Sequence, residues 1–125
     1  MEYLENVPTY KVIHILNTTY LLVHAGFQET HAYSISDLNF DPGIILWTHI
    51  GIDDNPLKDM KMIVGHSPTF TYGPSYNGKI IEGKDGMIYH IDCGCVFGKT
   101  LGCLRLDDMQ EFYIKSHTNI LKKRP

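Results

Sequence analysis

The chain has 125 residues, 43% hydrophobic and 20% charged, with a formal net charge of -3. These totals fit one globular domain (residues 1–125) and exclude a disordered chain. Mild acidity gives no electrostatic reason to expect nucleic acid or an anionic membrane as partner. No apolar run approaches the ~20 residues of a membrane span, and Glu2 and Glu5 stand where a basic, apolar signal peptide would begin. The expected compartment is the cytoplasm.

In chain order, Glu2–Tyr10 reads as a polar lead-in closed by Pro8. Val12–Leu16 is an apolar strand, Asn17-Thr18-Thr19 the turn of a hairpin, and Tyr20–Val23 the returning strand, which runs straight into His24-Ala25-Gly26. Gln28–Gly43 is a polar excursion with a short helix expected at Ser36–Asn39. It ends in the turn signal Asp41-Pro42-Gly43. Ile44–Trp47 is apolar, followed by Thr48, His49 and a loop over Gly51–Lys58.

Met62-Ile63-Val64-Gly65-His66-Ser67-Pro68-Thr69 organises the chain. Three apolar residues make a short buried strand, Gly65 permits a sharp turn or close approach, and Pro68 stops further pairing. A histidine at such a strand mouth can hold a metal or a phosphate, or simply bond a loop carbonyl. His24 repeats the arrangement. Turns are expected at Pro74–Gly78 and Gly83–Gly86, and strands at Met87–Ile91, Gly102–Leu106 and Phe112–Lys115, the last two joined at Asp107-Asp108. Leu121–Pro125 reads as a solvated basic tail.

Cys93, Cys95 and Cys103 are an odd set with no zinc-ribbon spacing, which predicts buried, inert thiols; a small redox or metal-binding domain using Cys93 and Cys95 is a weaker alternative. His14, His31, His90 and His117 are expected to be structural or solvated. Asp92 is expected to cap the following turn or to orient a histidine. Tyr72 and Tyr76 read as loop tyrosines, or as lining of a cleft.

Taken in order, Leu22-Val23-His24-Ala25-Gly26, Leu46-Trp47, Val64-Gly65-His66-Ser67-Pro68-Thr69, Ile91-Asp92-Cys93-Gly94-Cys95-Val96-Phe97-Gly98 and Leu104-Arg105-Leu106-Asp107 carry a resemblance. From about Pro8 to Phe112 the chain resembles the C-terminal half of calcineurin-like metallophosphoesterases. The most similar branch is that of bacterial serine/threonine protein phosphatases and symmetrical dinucleoside tetraphosphatases. Pro68 stands where other members of the superfamily carry a second histidine, as in the protein-phosphatase branch.

The resemblance implies an α/β, β-rich fold, half of an αββα sandwich with a mixed sheet and few helices. It implies that His24 and His66 are ligands of a divalent metal, manganese first, with iron or zinc as alternates. The implied substrate is a phosphorylated protein or a dinucleoside polyphosphate, hydrolysed by a two-metal mechanism. His49 occupies the position of a phosphate-clamping arginine, where imidazole is a poorer clamp than a guanidinium fork.

The family's N-terminal motifs Gly-Asp-x-His-Gly, Gly-Asp-x-x-Asp-Arg-Gly and Gly-Asn-His-Glu do not occur in this sequence. A two-metal centre needs their carboxylate bridge. The expectation is therefore a truncated or split enzyme, inactive alone and completed by an N-terminal half or across a dimer. The competing expectation is a catalytically inactive remnant that acts as a protein-interaction module.

Overall fold

A computed structural model describes residues 7–117. The start of the expected lead-in and the basic tail at Leu121–Pro125 lie outside the described residues.

Strands β1 (Tyr10–Ile15) and β2 (Thr18–Val23) form an antiparallel hairpin in which Ile15 pairs with Thr18. The loop is thus Leu16-Asn17. The sequence pattern placed the turn at Asn17-Thr18-Thr19, but both threonines are taken into β2, because β-branched side chains fit a pleat. Leu16 bears the cost, with φ of 55° and its side chain in water.

Between β2 and β3 (Lys61–Val64) the chain makes a 3₁₀ turn at Ile35–Asp37, where a helix over Ser36–Asn39 was expected, and one short helix, α1 (Pro42–Ile45). The turn signal Asp41-Pro42-Gly43 is in fact the start of α1. The Asp41 carboxylate accepts from the Gly43 amide at 3.4 Å, and Pro42 sits at a helical position whose N–H would have no partner. β3 then runs parallel to β2.

Two 3₁₀ turns, Thr69–Tyr72 and Pro74–Tyr76, lead to a two-residue strand β4 (Ile81–Glu82), too short to register as a sequence pattern. A 3₁₀ turn at Lys84–Gly86 leads into β5 (Ile88–His90), parallel to β3 and antiparallel to β4. The sheet order is β1-β2-β3-β5-β4, and β6 (Thr100–Arg105) and β7 (Gln110–Lys115) make a separate two-stranded hairpin. The chain is α/β and β-rich, with a mixed sheet and few helices.

Both faces of the central strands are buried, which is why they read as unbroken apolar runs rather than alternating ones. Leu21, Val23, Met62, Val64 and Ile88 pack on one face against Phe27, Leu38, Ile45 and Leu57 from the α1 side. Tyr20, Ile63, Tyr89 and Cys93 face the other way, under Leu104, Leu106 and Met109 of the hairpin. Each fully buried aliphatic contributes about 1.5–3 kcal/mol. Among the described residues no helix is long and apolar enough to cross a membrane.

His90 ends β5 inside the first of these cores, 1% exposed. Its Nε2 lies 2.9 Å from the Ile52 carbonyl and donates to it, the ring lies beside Tyr72, and Nδ1 has no partner. Burial lowers its pKa from 6.5, outweighing the Ile52 bond and the charges of Asp53 and Asp54. The unfolded chain therefore binds the proton first as pH drops below about 6.5, so stability falls with acidification until the folded ring titrates, and no such loss occurs above that range. His90→Gln, which keeps a donor for Ile52, should show a smaller fall in melting temperature between neutral and mildly acidic pH than wild type. At the hairpin loop, a glycine suits the positive φ at the first position of a two-residue turn. Leu16→Gly should raise unfolding free energy by about 0.5–1 kcal/mol in a denaturant titration.

Candidate functional site

Strands β2, β3 and β5 are parallel, so their C-terminal ends open on one edge of the sheet, the position where open α/β sheets hold ligands. Each end carries a polar residue of interest: His24 after β2, His66 after β3 and Gly65, and Asp92 after β5 and Ile91. The ladder continues just past the strands, with the Gly65 amide donating to the His24 carbonyl at 2.8 Å and the Ile91 amide to Val64 at 2.9 Å. Two histidines 42 positions apart in sequence are thereby held side by side.

Nε2 of His24 lies 3.2 Å from Nδ1 of His66. Two nitrogens bound to one ion at about 2.0–2.1 Å, in tetrahedral or octahedral array, stand roughly 2.8–3.4 Å apart. The observed separation falls within that span. The same distance suits a hydrogen bond between one protonated and one bare nitrogen, so the pair is satisfied without an ion as well.

Backbone strain aims the second ring. The Ser67 amide donates to the Gly65 carbonyl at 2.7 Å across His66, whose φ is 67°. An i→i+2 bond around a positive φ is the rarer, strained form of the γ-turn. The sharp turn thus falls on His66 and not on Gly65, for which the sequence pattern allowed a sharp turn or a close approach. A Cβ on Gly65 would meet only ordinary contacts with the His24 carbonyl and Asp92. Glycine is obligatory nearby at Gly26, where φ is 142° and Ile50 would sit 2.8 Å from an added Cβ.

His49 joins the pair. Its ring centroid is 5.0 Å from that of His66, and its Nδ1 lies 3.0 Å from the buried Ser67 hydroxyl. Trp47, 67% exposed, sets its ring edge-on to His66 at 5.8 Å. The three residues singled out from the sequence, His24, His49 and His66, are therefore one cluster. Burial, then the neighbouring His24 and His49, lower the pKa of His66 from 6.5, against the Asp92 charge and a bond to the Trp47 backbone that raise it. A neutral imidazole is the form that ligates metal.

Among the described residues, three grooves touch the cluster, one of ≈ 400 Å³ reaching His24 and Gly65 from the β1–β2 side, and two more nearer His66 and His49. One of ≈ 410 Å³ is lined by Val7, Pro8, Leu46 and Trp47 beside His24 and His66. The other, of ≈ 660 Å³, is polar, with His49 on its wall together with Glu29, His31, Asp53 and Asp54. Sequence reasoning singled out neither Trp47 as a wall of the site nor Ser67 as the support of His49. An exposed tryptophan leaves no signal in an apolar run such as Ile44–Trp47.

The remaining candidates are placed elsewhere. Asp92 caps its own turn, accepting from the Gly94 amide at 3.1 Å. Arg105 is occupied on the hairpin by Asp108 and Gln110, so it clamps nothing at the histidines. Tyr72 donates to the Ile50 carbonyl at 2.6 Å and anchors a loop. Burial pushes the Cys93 thiol up to about 11, which leaves almost no thiolate for redox chemistry at neutral pH. Two thiols correct the expectation of three buried ones: Cys95 is half-buried, and Cys103 is exposed because it lies on the outer face of β6.

Among the described residues no group of three or more His, Cys, Asp or Glu side chains is arranged to hold a metal ion. The His24–His66 pair fits one ion as a partial ligand set. A two-metal centre does not fit what is present, since no carboxylate bridges the pair. Neither a scan against protein-family models nor a search of curated proteins returns a match.

The strained turn makes a direct prediction. His66→Gly should increase unfolding free energy by about 1 kcal/mol relative to His66→Ala, because glycine accepts positive φ and alanine does not. Chemical denaturation of the two variants side by side measures it.

Proposed function

We propose that this chain is one part of a metal-dependent phosphoesterase of the serine/threonine protein phosphatase type. In this reading His24 and His66 supply two of the ligands of a divalent ion, manganese first. The observation that carries it is the 3.2 Å separation of their nitrogens at neighbouring parallel strand ends. First-row divalent metals accept neutral imidazole, and a metal at this edge would polarise a phosphoryl oxygen. The remaining ligands, carboxylates included, come from a second polypeptide or from sequence beyond these residues. His49, supported by Ser67 and with its ring 5.0 Å from that of His66, would contact the phosphate. A phosphorylated protein or a dinucleoside polyphosphate is the substrate class, and the cytoplasm the compartment.

A second reading is a catalytically inactive interaction module. It is favoured by the partial ligand set together with apolar side chains left in water, Trp47 and Phe97 among them.

Calorimetric titration with Mn²⁺ and Zn²⁺ separates the two. The phosphoesterase reading expects one ion per chain, bound at least about tenfold more weakly in His24→Ala and in His66→Ala, since loss of a ligand costs no less than loss of its outer-shell support. Absence of binding to the wild-type chain would leave only the interaction module. Hydrolysis of p-nitrophenyl phosphate in Mn²⁺ is expected to stay at the level of His66→Ala. Turnover that vanishes in that variant would show that the site is complete without a further polypeptide.

A further inference from the structure

The β6–β7 hairpin departs from the usual economy of an antiparallel sheet, which puts apolar residues on the core and polar ones in water. Its inner face is mixed: Leu104 packs on the core and the Tyr113 hydroxyl accepts from the Ile80 amide at 3.0 Å, while Glu111 and Lys115 share that face. The register sets Leu101 opposite Ile114 and Cys103 opposite Phe112 on the outer face. All four are exposed, Ile114 by 65% and Leu101 by 56%. All six residues of β7 are exposed, and among the described residues it pairs with β6 alone.

A free edge of this length ordinarily carries a device against pairing, such as a proline, a bulge or charged side chains with no partner in the pairing strand. β7 contains no proline, and its one lysine, Lys115, is matched by Glu111 four residues earlier on the same face, where one Glu111 carboxylate oxygen also accepts from the Tyr113 hydroxyl. Two strands placed antiparallel about a two-fold axis at Tyr113 bring Glu111 opposite Lys115 of the other copy, twice. The same register sets Phe112 opposite Ile114 of the other copy, an aromatic–aliphatic pair on the outer face. Opposite charges and aromatic–β-branched pairs are the cross-strand combinations that stabilise sheets. Centring the axis at Glu111 or at Lys115 would instead oppose like charges, and a one-residue slip would set outer against inner faces.

We propose that β7 is a self-pairing edge: two copies of the chain join β7 to β7 antiparallel about Tyr113, fusing their hairpins into one four-stranded sheet. The occupant of the edge is a second copy because the strand's own charge pattern is complementary to its reverse.

Light scattering coupled to size exclusion, run across the micromolar range, tests the proposal. Wild type is expected to form a concentration-dependent dimer. Glu111→Lys and Lys115→Glu, each of which opposes like charges at two points, should each weaken it by about tenfold or more. The double exchange Glu111→Lys/Lys115→Glu should restore it to within about threefold of wild type. An equimolar mixture of the two single variants should form a heterodimer, an outcome that needs no doubly exchanged chain to fold. A monomer at every concentration would overturn the proposal. So would a dimer indifferent to both single exchanges, or single variants that fail to associate with each other.

Discussion

The parallel pairing of β2 with β3 is the constraint on which the rest of this structure depends. It sets Leu22 beside Ile63 and, one step further on, lets the Gly65 amide reach the His24 carbonyl. Because both strands run the same way, both histidines emerge at the same edge. An antiparallel pair would have sent them to opposite ends. The crossover needed to keep β3 parallel is the long 24–60 segment, and its α1 supplies Ile45 to cover the sheet face that the crossover passes over.

Burial on both faces of β2, β3 and β5 makes this edge rigid enough to hold a strained turn. A γ-turn of the kind at His66 costs on the order of 1–3 kcal/mol, which surrounding structure must over-determine. Here the Ile91–Val64 and Gly65–His24 bonds fix the backbone before the turn, and the Thr69 amide, donating to the Asp92 carbonyl at 2.8 Å, fixes it after. The result is an imidazole aimed at a second imidazole, with a third, His49, held by Ser67. Crowding and burial favour the neutral form of His66, the state in which it can donate an electron pair.

The chemistry available at the edge is bounded by what the cluster lacks. Two imidazoles give an ion a foothold, but a two-metal centre needs bridging oxygen, and Asp92 is committed to its own turn. The apolar wall at Trp47 and Leu46 and the polar groove beyond His49 show that the surroundings are asymmetric. The β6–β7 hairpin presents apolar side chains outward. A small sheet of two strands cannot shield both of its faces, and the outer one is left to water.

The sequence alone determined most of the strands and the histidines at their mouths. Apolar runs marked β2, β3 and β5 because burial on both faces demands them, and the Gly-His and His-x-Gly punctuation marked His24 and His66. Asp107-Asp108 marked the hairpin because turn residues between two apolar stretches have few alternatives. Local patterns misplaced the first hairpin turn, read the start of α1 as a turn, and offered Gly65 a sharp turn or a close approach when the bend falls on His66. In each case a tertiary contact outweighed a local preference: pairing drew the threonines into β2, burial of Ile45 carried Pro42 into a helix, and the Gly65–His24 bond fixed the residue before the bend. Only the tertiary structure decided that His49 stands beside His66, that Arg105 is spent on its own hairpin and that Cys103 faces water. Those facts depend on which strands are neighbours and which face each side chain takes, and a register is a property of two segments together that neither one carries by itself.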